Sequence, residues 1–112
     1  MRIGVVRMRR HKSTIACDIS PAVRRAVMER DDGRCIICGS TNGIQLAHYI
    51  SRARMGRGIE TNLVCLCHRC HADYDQGKYH GLIGTTIMLY FKEKYGEEWC
   101  TEDQYYRKGQ EL

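Results

Sequence analysis

Two C-x-x-C pairs constrain the fold of this chain more than any other feature of its sequence. Cys35 and Cys38 form the first pair, and Cys67 and Cys70 form the second. Paired motifs of this kind in a small chain are typical of a structural zinc site with four thiolate ligands. Such a site has no open coordination position, so we expect it to hold together the two segments that carry the cysteines. Binding of a structural zinc ion contributes about 10 kcal/mol or more to the folding of a small domain.

The length and composition of the chain also favour a small domain with a metal site. The chain has 112 residues, of which 43% are hydrophobic, and a core of this size often needs additional stabilisation. We see no apolar run typical of a signal peptide or a membrane span, so we expect no membrane partner and a cytoplasmic location. In that reducing compartment, zinc thiolates are favoured over disulfides. The further cysteines, which we expect not to bind the metal, are Cys17, Cys65 and Cys100.

The positive charge of the chain lies mainly in its first half. The formal net charge is +5, and the acidic residues are concentrated towards the C-terminus. A basic first half suits a polyanion such as nucleic acid, and a solvated surface that keeps the chain soluble is the alternative. Arg52, Arg54 and Arg57 follow His48 in a loop rich in glycine and arginine, where we favour contact with phosphate groups because these arginines flank a candidate active site.

Local sequence signals predict a mixture of helices and strands. Ser20-Pro21 is a helix start, with serine as the N-cap and proline at the first helical position. Alternation of apolar residues predicts a strand over 44–50, and helices are expected over about 70–76 and over 82–95. We divide the chain into a basic, extended N-terminal arm (1–19), a core (20–80) and a C-terminal helical extension (81–112).

Three polar residues near the cysteines are not needed for a four-cysteine site. His48 lies on the predicted strand, Asn62 lies in the loop before the second cysteine pair, and His71 directly follows Cys70. Each has a structural explanation when taken alone, as a hydrogen-bonded core histidine, a turn cap and a group beside the zinc ligands. Their common location around the cysteine pairs indicates a second, functional site.

Together these motifs resemble the HNH endonuclease family, and in particular the small HNH proteins of bacteriophage and prophage genomes. The matching stretches, within about residues 20–80, are Arg30-Asp31, C-I-I-C-G at 35–39, L-A-H-Y-I at 46–50, N-L-V-C-L-C-H-R-C-H at 62–71, and Asp75. The resemblance implies an α+β fold, with a ββα-metal core that is stapled by the four-cysteine zinc site and has flanking N- and C-terminal helices. It also implies a bacterial host cell as the location.

The resemblance further implies a role for each site residue. His48 matches the general base that activates a water molecule, and Asn62 matches the residue whose amide braces the loop. His71 and Asp75 match the ligands of a catalytic divalent ion, and a carboxylate at position 75 favours Mg²⁺ or Mn²⁺. The implied activity is metal-dependent hydrolysis of DNA phosphodiester bonds with low sequence specificity, in phage or prophage DNA processing. A homodimer is possible, because isologous pairing would place two sites for a double-strand cut.

The chain departs from the family pattern at Ala47. Many family members have aspartate or histidine at this position, directly before the base, as a further metal ligand. Three alternatives follow: His71 and Asp75 hold the ion with water and phosphate alone, Asp73 contributes, or activity is weak or lost. The last alternative makes the protein a non-catalytic, zinc-stabilised module that binds DNA or another protein. A redox function of the C-x-x-C pairs is disfavoured, because the βαβ context that such a motif needs is absent.

Overall fold

The computed structural model describes residues 11–108, apart from the side chain of Ser13. Its helices are α1 (Lys12–Cys17), α2 (Pro21–Arg30), α3 (His68–Gln76) and α4 (His80–Tyr95), and its strands are β1 (Gln45–His48) and β2 (Leu63–Leu66). Short 3-10 helices lie at Arg52–Arg54, Glu60–Asn62 and Thr101–Gln104. The predicted α+β class is confirmed, and β1, β2 and α3 follow one another in the order that a ββα unit requires.

Helix α2 begins where the Ser20-Pro21 signal predicts a helix start. The Ser20 hydroxyl accepts a hydrogen bond from the backbone N–H of Val23 at 3.1 Å, and Pro21 occupies the first helical position. Shortly after the helix ends, Gly33 adopts a left-handed conformation with a φ of +61°. Local chemistry therefore sets both ends of α2, and its buried Val27 packs against the sheet.

The two strands form one antiparallel hairpin, and β1 is shorter than the predicted strand 44–50. At the end of β1, His48 pairs with Leu63. Two residues later, the N–H of Ile50 bonds to the side-chain Oδ1 of Asn62 at 2.8 Å. Because this side-chain hydrogen bond replaces a bond between strands, the chain leaves the sheet as a loop soon after His48.

Helices cover both faces of this hairpin. One face packs against α3 and α4, and the other packs against α2. The buried residues on the first face include Ala47, Val64, Leu66, Tyr74, Ile83, Ile87, Phe91 and Trp99. Those on the second face are Val27, Leu63 and Cys65. Every residue of β2 is buried, whereas β1 is only partly buried, so β1 is the strand that presents side chains to solvent.

A buried ion pair connects α2 to β2 and α4. Arg30 Nη2 donates to Leu63 O at 2.6 Å, and Asp31 Oδ2 accepts from the N–H of Cys65 at 2.9 Å. The Tyr90 hydroxyl donates to Asp31 Oδ1, and the Asp31 side chain is fully buried. Burial raises the pKa of Asp31, but the hydrogen bonds from Arg30 and Tyr90 outweigh it and hold this pKa below its ordinary value of 3.8. The carboxylate is therefore charged, and it fixes α2 on β2.

The prediction of an extended N-terminal arm is wrong over residues 12–17, which form α1. The N–H of Gly58 donates to Ala16 O at 2.9 Å, and Arg52 Nη1 donates to Cys17 O at 2.7 Å. These bonds satisfy carbonyl groups at the end of α1 that a short helix cannot satisfy itself. The basic sequence of the arm contains no signal for this contact with a distant loop. Residues 1–10 of the predicted arm lie outside the described residues.

Helix α4 has 16 residues and ends at Tyr95, as predicted, with Gly96 as its C-cap. Its buried residues are Ile83, Ile87 and Phe91, whose spacing of four places them on one side of the helix. This side forms much of the core next to the hairpin. None of the helices between residues 11 and 108 is both long enough and apolar enough to cross a membrane.

Candidate active site

The two C-x-x-C pairs come together in one cluster. The Sγ atoms of Cys35, Cys38, Cys67 and Cys70 all lie within 4.8 Å of one another, and those of Cys38 and Cys67 are 3.6 Å apart. A tetrahedral zinc ion with Zn–S bonds of about 2.3 Å holds its sulfur atoms about 3.8 Å apart. The four thiols therefore fit a metal ion such as zinc, and the predicted cysteine cluster is confirmed.

Local backbone geometry positions these thiols. Gly39 has a φ of +78°, and its N–H donates to Cys35 O at 2.9 Å, which closes the turn around the first pair. Cys67 is the N-cap of α3, and its Sγ accepts from the N–H of Cys70 at 3.4 Å. The remaining cysteines of the chain do not join the cluster, as predicted. The cluster thus joins the turn after α2 to the start of α3.

His48 lies at the end of β1 and is half-buried. Its Nε2 is 2.9 Å from Cys17 O at the end of α1. A carbonyl oxygen only accepts hydrogen bonds, so Nε2 carries the proton and Nδ1 carries the lone pair. Burial lowers the pKa of His48 below its ordinary 6.5, the hydrogen bond to Cys17 opposes this shift, and the nearby Arg52 charge adds to it. The ring is therefore neutral at pH 7, with Nδ1 able to accept a proton.

Asn62 braces the loop that follows β1. Its side chain is fully buried. Oδ1 accepts from the N–H of Ile50 at 2.8 Å, and Nδ2 donates to Ile50 O at 3.1 Å and to Arg57 O at 2.9 Å. The amide thus bonds to both branches of the loop between the strands. Asn62 holds the backbone two residues after His48 without lining the cleft that His48 faces.

His71 and Asp75 lie on one side of α3, one helical turn apart. His71 Nε2 is 3.3 Å from Asp75 Oδ2, and His71 Nδ1 is 2.5 Å from Gln45 Oε1. Because an amide oxygen only accepts, Nδ1 donates to Gln45, and Nε2 faces the carboxylate. Lone pairs on two facing atoms repel unless a cation, either a proton or a metal ion, lies between them. The pair therefore fits a divalent ion, with Gln45 orienting the histidine ring.

One cleft brings three of the predicted groups together. Its volume is about 590 Å³, and His48, His71 and Asp75 all line it. Asp73, which was an alternative ligand, precedes Asp75 by two residues and therefore points about 200° away around the helix. The cleft thus combines a neutral histidine with a histidine–carboxylate pair, a set of groups suited to proton transfer beside a metal ion.

The three arginines of the loop have different environments. Arg52 lines the cleft, where it donates to Cys17 O and to Asp18 Oδ1 at 2.7 Å each, and its side chain is 47% exposed. Arg54 lies outside this cleft and donates to the hydroxyl of Tyr105 at 3.3 Å. Arg57 is half-buried, and its Nε has no hydrogen-bond partner among the described residues. Arg52 is therefore the arginine nearest to the candidate chemistry.

Ala47 does not face the cleft. It is 1% exposed and packs in the core on the α3–α4 side of the sheet, because successive residues of a strand point to opposite faces. Between residues 11 and 108, the cysteine cluster is the only group of three or more histidine, cysteine or acidic side chains close enough together to hold a metal ion. Among the described histidine, cysteine and acidic side chains, the candidate ligands of a second ion in the cleft are therefore the His71–Asp75 pair.

The sequence patterns did not indicate two contacts of the site. Alternation along β1 assigns Gln45 to the face opposite His48, yet its long side chain reaches His71. The second contact is the hydrogen bond between Cys17 O and His48. A backbone carbonyl has no signature in the sequence, so only the position of α1 reveals this contact.

Comparisons with known proteins give a structural match without a sequence match. No family model matches the chain, and no curated protein matches it. A solved structure, "Structure of the Type IV phosphorothioation-dependent restriction endonuclease ScoMcrA", matches with a TM-score of 0.57 and 23% sequence identity. The match covers 68% of this chain and 18% of the endonuclease chain. At this identity the similarity shows a shared fold: this chain has the fold of a small part of a restriction endonuclease.

Proposed function

We propose that this protein is a metal-dependent endonuclease of the HNH type that hydrolyses phosphodiester bonds in DNA. The observation that carries the proposal is the common cleft of His48 and the His71–Asp75 pair. One histidine is fixed with a lone pair on Nδ1, and the Nε2 atom of the other is fixed facing a carboxylate. The fold shared with part of a restriction endonuclease supports this proposal.

His48 acts as the general base. Its Nδ1 takes a proton from the water molecule that attacks the phosphorus atom, and the imidazolium that forms keeps its Nε2–H bonded to Cys17 O. The carbonyl dipole stabilises the positive charge of the imidazolium. Before proton transfer, the same carbonyl disfavours the tautomer with the proton on Nδ1. Asn62 keeps the loop after β1 in place, so His48 stays in the wall of the cleft.

His71 and Asp75 would hold the catalytic divalent ion. A Mg²⁺ or Mn²⁺ ion bound there would supply Lewis-acid stabilisation of the charge on the phosphate. Two protein ligands suit Mg²⁺, because this ion retains several waters and binds substrate phosphates. Gln45 Oε1 accepts a hydrogen bond from the Nδ1–H of His71 and so orients Nε2 for coordination. The structural zinc ion belongs to the separate cysteine cluster.

Arg52 and Arg54 bind DNA phosphates beside the cleft. The bonds of Arg52 to Cys17 O and Asp18 hold its guanidinium next to His48, where it is still half-exposed. Contacts of this kind position DNA without reading its sequence, so we propose low sequence specificity. Arg57 is proposed as a third phosphate contact from its sequence position alone. The proposed setting, phage or prophage DNA processing in a bacterial cytoplasm, rests on the sequence resemblance.

Cleavage of supercoiled plasmid DNA with Mg²⁺ or Mn²⁺ tests the proposal. The zinc-loaded protein should nick or linearise the plasmid, and His48→Ala should slow cleavage by about 10² to 10⁴-fold, the usual contribution of a general base. His68→Ala is the matched control, because His68 is exposed and lies outside the cleft. If the wild-type protein binds the plasmid and leaves it intact with both ions, the proposal is wrong.

A non-catalytic zinc module that binds DNA is a second candidate. The burial of Ala47 favours it, because this position supplies no metal ligand and leaves the second site with two protein groups. This function predicts DNA binding that needs no Mg²⁺ and that His48→Ala leaves unchanged. Metal-dependent cleavage that is lost in His48→Ala would exclude it.

A further inference from the structure

A second cavity lies directly beside the candidate active-site cleft. Its volume is about 370 Å³, and it lies between the loop after β1 and the start of α4. It shares His48, Ser51 and Asp75 with the cleft, so whatever fills it touches the same reaction centre. Nothing in the proposed hydrolysis requires this cavity. Its size is within the range of small-ligand sites, which begins at about 300 Å³.

The wall of this cavity contains an aromatic ring held in a fixed orientation. The ring of His80 stacks on that of Tyr74, with centroids 4.9 Å apart and an angle of 11° between the planes. His80 Nδ1 donates to Tyr74 O at 2.6 Å, and the Tyr74 hydroxyl donates to Tyr49 O at 2.6 Å. One face of His80 is therefore packed. Because His80 as a whole is exposed and lines the cavity, its other face is open to a ligand.

The other walls leave room for a flat ligand with a phosphate group. Gly81 and Gly84 line the cavity, and a Cβ at Gly81 would meet nothing within 4 Å. Met88 supplies apolar surface, and Thr85 supplies a hydroxyl. Arg54 also lines the cavity and directs one nitrogen at Tyr105, so its other N–H groups can bind a phosphate. The lining therefore combines apolar surface with charged and hydroxyl groups, a mixture that suits an aromatic ring carrying a phosphate.

We propose that this cavity, the His80 pocket, takes one unstacked nucleobase of the cleaved DNA strand, next to the scissile phosphate. The base stacks on the open face of His80, and Arg54 binds the adjoining phosphate. This inference rests on the proposed function, because the pocket adjoins the reaction centre only if His48 and Asp75, which line both cavities, carry out the proposed chemistry. It adds a substrate class: DNA with an unpaired or mismatched nucleotide.

An unpaired nucleotide is favoured for a physical reason. A base inside a duplex reaches a side pocket only after it is unpaired and turned out of the stack, and this step costs least where the base is already mismatched or single-stranded. Stacking of the base on an aromatic ring offsets part of that cost. Mismatched DNA should therefore bind more tightly than fully paired DNA of the same length, and the difference should depend on His80.

The test uses duplexes that contain one mismatched 2-aminopurine, with a fully paired duplex as reference. Affinities and fluorescence lifetimes are measured with the zinc-loaded protein, without Mg²⁺ or Mn²⁺ so that the DNA stays intact. We expect tighter binding of the mismatched duplex and a shortened lifetime from stacking. His80→Ala should weaken binding of the mismatched duplex by about 5- to 150-fold, the usual loss when an aromatic ring under one base is removed. It should leave binding of the paired duplex unchanged.

Two variants separate stacking from folding. His80→Phe keeps a flat ring and should retain the preference for the mismatch. If His80 acted only through its Nδ1 hydrogen bond to Tyr74 O, this variant would lose the preference, because phenylalanine cannot form that bond. Tyr79→Ala removes an exposed aromatic ring that precedes His80 and does not line the cavity, so it should behave as wild type. Equal affinity of the wild-type protein for both duplexes, or an unchanged preference in His80→Ala, would overturn the inference.

Cleavage assays on the same duplexes separate this inference from the proposed function. A wild-type protein that binds and stacks the mismatched base but cleaves nothing with Mg²⁺ or Mn²⁺ refutes the endonuclease and supports the pocket. A protein that cleaves paired and mismatched duplexes equally, with no change in His80→Ala, refutes the pocket and supports the endonuclease.

Discussion

Replacing Asn62 with alanine is expected to destabilise the fold by about 3 kcal/mol. The side chain is fully buried and makes three hydrogen bonds to the backbone of Ile50 and Arg57, at 2.8, 2.9 and 3.1 Å. Each such bond contributes about 1 kcal/mol, and more is lost where the abandoned backbone group stays buried without water. For a domain of this size the loss corresponds to a decrease in Tm of about 15 °C.

Asn62→Asp tests the same contacts with almost no change in shape. One oxygen of the introduced carboxyl can still accept from the N–H of Ile50, but the other faces Ile50 O and Arg57 O. Burial beside two carbonyl oxygens favours the protonated form, so the folded pKa of this carboxyl rises above the unfolded value of about 3.9. The variant is therefore expected to lose stability as the pH rises above about 4.

Urea unfolding at a fixed, saturating zinc concentration measures both variants, because bound metal adds to the stability of the folded state. Asn62→Ala should lower the midpoint at every pH, whereas Asn62→Asp should approach the wild type only under acidic conditions. A loss of less than about 1 kcal/mol in Asn62→Ala would mean that water replaces the amide. A loss of stability in Asn62→Asp that does not depend on pH would refute the assignment of Asn62 Nδ2 as the donor to two carbonyl groups.

Three further predictions concern His48, Asp31 and Ala47. At saturating Mg²⁺, the cleavage rate should fall on the acidic side with a midpoint below pH 6.5, because burial lowers the pKa of His48 and only its neutral form accepts a proton; a pH–rate profile measures this. Asp31→Asn should lower the free energy of unfolding in urea by about 3–5 kcal/mol, since it leaves the Arg30 charge buried without its partner. In the wild-type protein, the stabilisation by this pair should decrease as the pH falls below 3.8, and the variant should lack that dependence. Ala47→Asp should destabilise the protein without strengthening Mg²⁺ binding in calorimetry, because this position faces the core.

The parts of the structure that follow from local chemistry could be predicted from the sequence. The cysteine cluster is an example, because the spacing of each pair already places two thiols on one turn. Helix α2 is another, because Ser20 and Pro21 act within the first turn of the helix that they begin. The predicted strand over 44–50 was too long for the opposite reason. Its end depends on a hydrogen bond between Ile50 and the side chain of Asn62, twelve residues away.

The sequence predicted which side chains belong to the candidate site, but it did not predict what surrounds them. His48, His71 and Asp75 were identified from motifs, and the structure brings them to one cleft. The resemblance could not show that Ala47 points into the core, because the family pattern describes positions and not directions. The pocket beside His80 depends on the packing of α4 against α3, which brings together residues from three segments. No single segment contains a pattern for such a surface.

The hydrogen bond between Cys17 O and His48 places one contact of the candidate active site outside the predicted core. A chain starting at residue 20, the predicted boundary of the core, would contain every predicted site residue and all four zinc-binding cysteines. It would nevertheless leave His48 Nε2 facing water, and Arg52 would lose both of its partners. Either nitrogen of His48 could then carry the proton, so part of the population would lack a base aimed at the cleft. The proposed cleavage activity would therefore need the residues of α1, although none of them was predicted to belong to the site.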